Sequence, residues 1–123
     1  MKILFVDAGN YCRSPAAEVV CRTMSVQAGA AGQVRFSSAG LKDKHVGDTA
    51  DPRTIAACSA RGYDLGEFRC REISAADFAS SDLILAMDHD NVTQREQTMI
   101  VRLGYVLGAV VGLIAFGLNQ ALR

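Results

Sequence analysis

Four consecutive apolar residues, Ile3-Leu4-Phe5-Val6, run straight into Asp7, Gly9 and Asn10, and a Ser14-Pro15 pair follows. This pattern predicts a strand over residues 2–6, a tight loop, and a helix from Pro15 to about Ala28. Ser14 is the expected N-cap, Pro15 the first helical position, and Glu18 an acid in the first turn. Gly29 to Gln33 is a small, flexible connection, and Val34-Arg35-Phe36-Ser37-Ser38 alternates like a strand. Asp51-Pro52 opens a second helix that Gly62 ends. Ser74-Ala75-Ala76-Asp77 has the form of a shortened capping box before a brief helix. The run Leu83 to Met87 suits a strand buried on both faces of a parallel sheet. The order β-α-β-α-α-β implies an α/β fold with ligands at the carboxyl ends of strands, and the loop at Asp7 lies at such an end.

That loop has anion-binding chemistry. A strand–loop–helix turn aims successive backbone N–H groups and the positive end of the helix at one point above the strand. Arg13, with five residues between it and Asp7, adds a planar fork that can hold two oxygens of a phosphate. The segment Asp7-Ala8-Gly9-Asn10-Tyr11-Cys12-Arg13-Ser14 is therefore a candidate phosphate cradle.

This loop resembles that of the low-molecular-weight protein tyrosine phosphatases, which reads Cys, five residues, Arg-Ser and usually Pro. The likeness continues through Ser38-Ala39-Gly40, His45-Val46-Gly47, Ala50-Asp51-Pro52-Arg53, Arg69-Cys70-Arg71, Asp77-Phe78 and Asp82 to Asp88 with Asn91, in family order over residues 2–92. The resemblance implies a three-layer α/β/α fold around a three- to four-stranded parallel sheet, with a phosphate loop after the first strand. It places Asp7 at the position of the attacking cysteine and Arg13 as the catalytic arginine. Ala8 to Ser14 become phosphate-binding, and Asn10, Ser14 and Ser38 become loop supports. For Ser14 a plain N-cap role is equally good. The ligands implied are a phosphotyrosine protein or small phosphomonoester, and inorganic phosphate or a similar oxyanion, with no cofactor and no metal.

The departures bear on activity. In the family mechanism a thiolate attacks phosphorus, and an aspartate in a later Asp-Pro loop protonates the leaving group. A thiol in a ring of N–H donors ionises readily, whereas a carboxylate is a poor nucleophile toward a dianion that it repels. The simpler reading is that Asp7 fills the anion site with its own carboxylate. Cys12 would sit on the far wall of the loop, badly aligned for in-line attack, and reads as a spectator thiol. Lys44 stands where the family often has an aromatic cleft residue, and Phe68 where it often has a loop-supporting histidine. His45 and His89 read as isolated surface or structural residues, and Asp88 and Asp90 as capping or turn residues.

Thirteen basic and thirteen acidic residues cancel over 123 residues, so no global field favours nucleic acid. Cys12, Cys21, Cys58 and Cys70 show no close paired spacing, and only four apolar residues separate Lys2 from Asp7. Reduced thiols in a cytoplasmic protein are the expectation. Cys21 and Cys58 read as small core residues.

The chain divides into a phosphatase-like domain over residues 1–98 and an apolar, glycine-containing tail over 99–123. No Asp or Glu follows Glu96, so the family's general acid has no candidate in the expected place. Leu103 to Leu122 is uncharged between Arg102 and Arg123, with Gly104, Gly108 and Gly112 four apart. Three readings stay open for it. The leading one makes Thr98 to Val106 a fourth strand and Ala109 to Leu122 a closing helix, since the sheet otherwise exposes an apolar edge. A membrane anchor over residues 103–122 is the second, and a gene end never selected for this fold is the third.

Two function classes follow. One is a phosphotyrosine phosphatase by lineage, inactive or strongly impaired with Asp7 in the loop and no acid loop. The other is a non-catalytic phosphate- or partner-binding pseudophosphatase. An arsenate reductase-like protein is a distant third, for want of a downstream cysteine relay.

Overall fold

The computed structural model describes residues 1–87. Its elements are β1 (Lys2–Asp7), α1 (Arg13–Gln27), β2 (Arg35–Gly40), α2 (Pro52–Ala60), α3 (Ala75–Ser80) and β3 (Leu83–Ala86). The expected β-α-β-α-α-β order is the observed one. The domain boundary at 98, the alternatives for the tail, and Asp88, His89, Asp90 and Asn91 lie outside the described residues.

The three strands are parallel in the order β2-β1-β3. The first strand in the chain is thus the middle one, and the chain leaves it to one side for β2 and to the other for β3. Ligands of open parallel sheets bind at such a switch point, beyond the carboxyl end of the central strand. In β1 that end is Asp7, which pairs in register with Gly40.

Alternation along β1 divides the core. Ile3 and Phe5 pack with Leu83 on one face, covered by Ala17 and Cys21 of α1, and the Phe5 and Phe36 rings stack with centroids 6.1 Å apart. Leu4, Val6 and Ala39 form the other face, packed with Leu41, Ile73 and Ile84. A third cluster joins Val19 of α1 to Ala50, Cys58 and Leu65, with Phe68 against it. Each buried branched side chain contributes roughly 1.5–3 kcal/mol, so β1, with four apolar side chains buried, is the spine of the molecule.

The helix starts and stops follow local chemistry. The Asp51 carboxylate accepts the Arg53 N–H at 2.8 Å, with Pro52 leading α2, and Gly62 beyond its end has φ +84°, the left-handed geometry that glycine adopts without strain. In α3 the Asp77 carboxylate accepts the Ser74 N–H at 2.8 Å, the reciprocal contact of a capping box. The strand β3 departs from expectation: Leu83 is buried, Ile84 and Leu85 are half-buried, and Ala86 is exposed. Among the described strands it has one neighbour, β1.

Candidate functional site

At the carboxyl end of β1 the carboxylate of Asp7, itself 4% exposed, turns back into the loop that follows it. One oxygen accepts the backbone N–H of Asn10 at 2.5 Å, and the other accepts that of Ser14 at 2.9 Å. Asn10 belongs to the turn that leads into α1 and Ser14 to its first turn. The carboxylate therefore supplies a negative charge at the positive end of the helix.

This contact corrects the expected helix start. Cys12, not Ser14, occupies the N-cap position, and α1 begins at Arg13. With its N–H taken by Asp7, Ser14 lies inside the first turn, and its hydroxyl oxygen accepts the Asn10 side-chain amide at 2.9 Å. Glu18 moves deeper into the helix as a result, away from the first turn. It is 9% exposed and accepts a 3.3 Å hydrogen bond from the Ser38 hydroxyl. Burial raises its pKa above the ordinary carboxylate value, against the lowering influence of Arg22, the Ser38 hydrogen bond and Arg71.

Asn10 organises the loop. It has φ +55° and is fully buried, and Asn tolerates this left-handed geometry better than most residues. Its amide nitrogen donates to Ser14 and to Ser38, each at 2.9 Å, while its carbonyl oxygen accepts the backbone N–H of Arg71 at 2.9 Å. One side chain thus ties together the loop, β2 and the segment before α3. Arg71 in turn makes a two-pronged pair with Asp77, at 2.8 and 2.9 Å. That guanidinium, helped by the Ser74 N–H, holds the Asp77 pKa down to about 2.

Close approach of β2 to the loop explains the Ser38-Ala39-Gly40 pattern. A Cβ on Gly40 would lie 2.7 Å from the Gly9 carbonyl carbon and 2.8 Å from the Asn10 nitrogen. No side chain fits there.

Above the loop opens a cavity of about 260 Å³, lined by the residues from Asp7 to Arg13 except the buried Asn10, and by Lys42, Lys44 and His45. The Tyr11 and His45 rings stack with centroids 3.8 Å apart and planes 6° apart, so His45 is not isolated as expected but forms one wall. The Cys12 sulfur faces Thr54, whose hydroxyl donates to it at 3.0 Å. Arg13 lies at the cavity and donates to the Met87 carbonyl oxygen at 3.3 Å.

The fold thus brings together all eight residues from Asp7 to Ser14, together with Ser38. Sequence reasoning missed Lys42 as a lining residue and Glu18 and Arg71 as members of the supporting network. The signal for Lys42 was its place just past the end of β2, at the same sheet end as Asp7. Among the described residues no group of three or more His, Cys, Asp or Glu side chains is placed to hold a metal ion, and no helix is long and apolar enough to cross a membrane.

Residues 2–106 match the family model of the low molecular weight phosphotyrosine protein phosphatases. The chain belongs to that family. A Synechocystis relative, provisionally named as a low-molecular-weight protein-tyrosine-phosphatase, is 47% identical over 91 residues, covering 74% of this chain and 57% of its own length. The crystal structure of a protein tyrosine phosphatase from Entamoeba histolytica superposes with a TM-score of 0.72 at 34% identity, over 80% of this chain and 67% of that one. YfkJ from Bacillus subtilis superposes at 0.74 and 31% identity, over 80% of this chain and 62% of that one. The chain thus spans about three fifths of the length of the curated relatives it matches, and the α/β fold with its small parallel sheet is that of solved phosphatases of the family.

Proposed function

We propose that this family member carries a phosphate loop, residues 7–14, occupied by its own Asp7 carboxylate, and that in this form it hydrolyses phosphomonoesters weakly or not at all. The observation that carries the reading is the pair of hydrogen bonds from the Asn10 and Ser14 N–H groups to Asp7. Those are donors that a bound oxyanion would otherwise use. Asp7 stands where the family's cysteine nucleophile is expected, so the route through a covalent phosphocysteine is closed. Attack by the carboxylate itself is opposed by charge: two unit charges ~4 Å apart at an effective dielectric near 20 repel by roughly 4 kcal/mol. Arg13 and the loop amides lessen that repulsion without reversing it.

By lineage the ligand is a phosphotyrosine protein or a small phosphomonoester, with inorganic phosphate as the simplest mimic. A cytoplasmic setting accords with four cysteines that are all free thiols. A phosphate-binding pseudophosphatase is the second reading, and the same measurement separates the two. Titration calorimetry of vanadate into the parent and into Asp7→Ala at one pH is expected to show tighter binding by Asp7→Ala. Equal affinity would mean that the carboxylate does not compete for the loop, and the pseudophosphatase reading would replace the first.

A further inference from the structure

The chain as a whole is neutral, but the cavity over the loop is not. Among the described residues its lining sets Lys42 and Lys44 beside one carboxylate, Asp7, whose two oxygens already face N–H donors. Lys42 and Lys44 are both exposed, and among the described residues neither ammonium makes an ion pair. The stretch that carries them is anchored at both ends. The Lys42 N–H donates to the Ala8 carbonyl oxygen at 2.9 Å, and His45 is stacked on Tyr11. Asp43, between them, is not part of the lining, and of the acids near His45, Asp48 faces its ring at 3.4 Å while Asp51 is paired with Arg53.

We propose that this lysine rim is a docking site for an acidic protein segment, with side-chain carboxylates on Lys42 and Lys44 and one side chain entering the cavity. The inference rests on the reading of the cavity as the ligand site and names the class of partner. Charge complementarity carries it: two ammonium groups with no ion pair among the described residues line a cavity whose one described carboxylate is already met by N–H donors. Ammonium groups on flexible stems act as point charges and place little geometric demand on a carboxylate. A cavity of about 260 Å³ accommodates a single side chain. Such a contact raises the encounter rate and fades with salt.

Fluorescence anisotropy of a labelled, unphosphorylated peptide with acidic residues flanking a tyrosine tests this on the full chain. Lys42→Glu/Lys44→Glu and Asp7→Ala are measured beside the parent, and each fold is checked by circular dichroism. Binding at low salt that drops about tenfold or more in the double lysine variant is the expected result. Equal binding by the charge-reversed variant, binding that appears only in Asp7→Ala or only with phosphotyrosine, or no binding at all would each overturn the rim assignment. Lys42→Gln/Lys44→Gln should lose part of the affinity, which distinguishes loss of attraction from new repulsion. Vanadate binding by Asp7→Ala is a separate readout, so failure of the loop reading and failure of the rim reading are distinguishable.

Discussion

The Asp7 carboxylate accepts the backbone N–H of Ser14 at 2.9 Å, joining the end of β1 to the first turn of α1. The group that would disable cysteine chemistry is thereby also the group that completes the loop. Substitution at residue 7 therefore changes reactivity and loop stability together.

Replacing Asp7 by cysteine should restore a trappable phosphoenzyme, because the N–H donors that face the carboxylate would favour a thiolate in its place. Activated aryl phosphates with acidic leaving groups should turn over best, since they need no proton from the protein. Intact mass spectrometry after rapid quench reads the intermediate, and Arg13→Ala should abolish it. An Asp7→Cys protein that forms no adduct with an activated ester would show that the cradle is misassembled.

Asn10→Ala should cost about 3 kcal/mol in urea denaturation. It removes three side-chain hydrogen bonds, two of them buried, and places alanine at φ +55°. Asn10→Gly should recover about 1 kcal/mol of that, because glycine accepts the geometry. Equal losses in the two variants would show that backbone handedness contributes nothing.

Gly40→Ala should lower stability by about 2–4 kcal/mol, since its methyl meets loop backbone rather than a movable side chain. Gly32 has open space around it, and Gly32→Ala is the matched control, expected within about 0.5 kcal/mol of the parent. Thermal melts of the pair decide the matter.

The Asp77 pKa of about 2, against an ordinary value of 3.8, predicts an acid-labile contribution. The folded pKa is depressed, so the stabilisation is complete above pH 3.8 and declines as pH falls toward 2. Because Arg71 is partly exposed, about 1–2 kcal/mol is expected. Asp77→Asn should flatten denaturant-measured stability between pH 4 and pH 2 relative to the parent.

Glu18 has the opposite sign. Its folded pKa is raised by burial, so it favours the folded state most when protonated, and that advantage fades as pH rises through its ordinary value to the raised one. Glu18→Gln keeps an acceptor for Ser38 and carries no charge. It should be at least as stable as the parent at pH 7 and less dependent on pH between 4 and 7, as read by melting temperature.

Much of this was legible in the sequence. Apolar runs bounded by Gly, Pro and Asp located every element, because β1 and β3 are short strands with few competing patterns and Asp51-Pro52 is a strong helix start. The loop residues were legible because they are contiguous. What escaped were relations between distant segments. The amide of Asn10 meets Arg71 only once β2 and the segment before α3 lie side by side, and Glu18 reads as a first-turn acid until α1 is packed onto Ser38. The helix start was misplaced for the same reason: Ser14 has the form of a cap, but the acceptor that takes its N–H comes from Asp7, seven positions earlier.

The bare backbone contact between Gly40 and the Gly9–Asn10 peptide has a kinetic consequence. The loop cannot close around its charge until β2 has docked, and β2 cannot dock flush while the loop is open. Formation of the loop and pairing of the central strand with β2 should therefore be coupled, each stabilising the other. In amide hydrogen exchange, the Asn10 and Ser14 amides, which donate to the buried Asp7 carboxylate, would be protected far more than those of an ordinary surface turn. Isolated from β2, the segment from Asp7 to Ser14 would lose the Ser38 and Gly40 contacts that hold its shape.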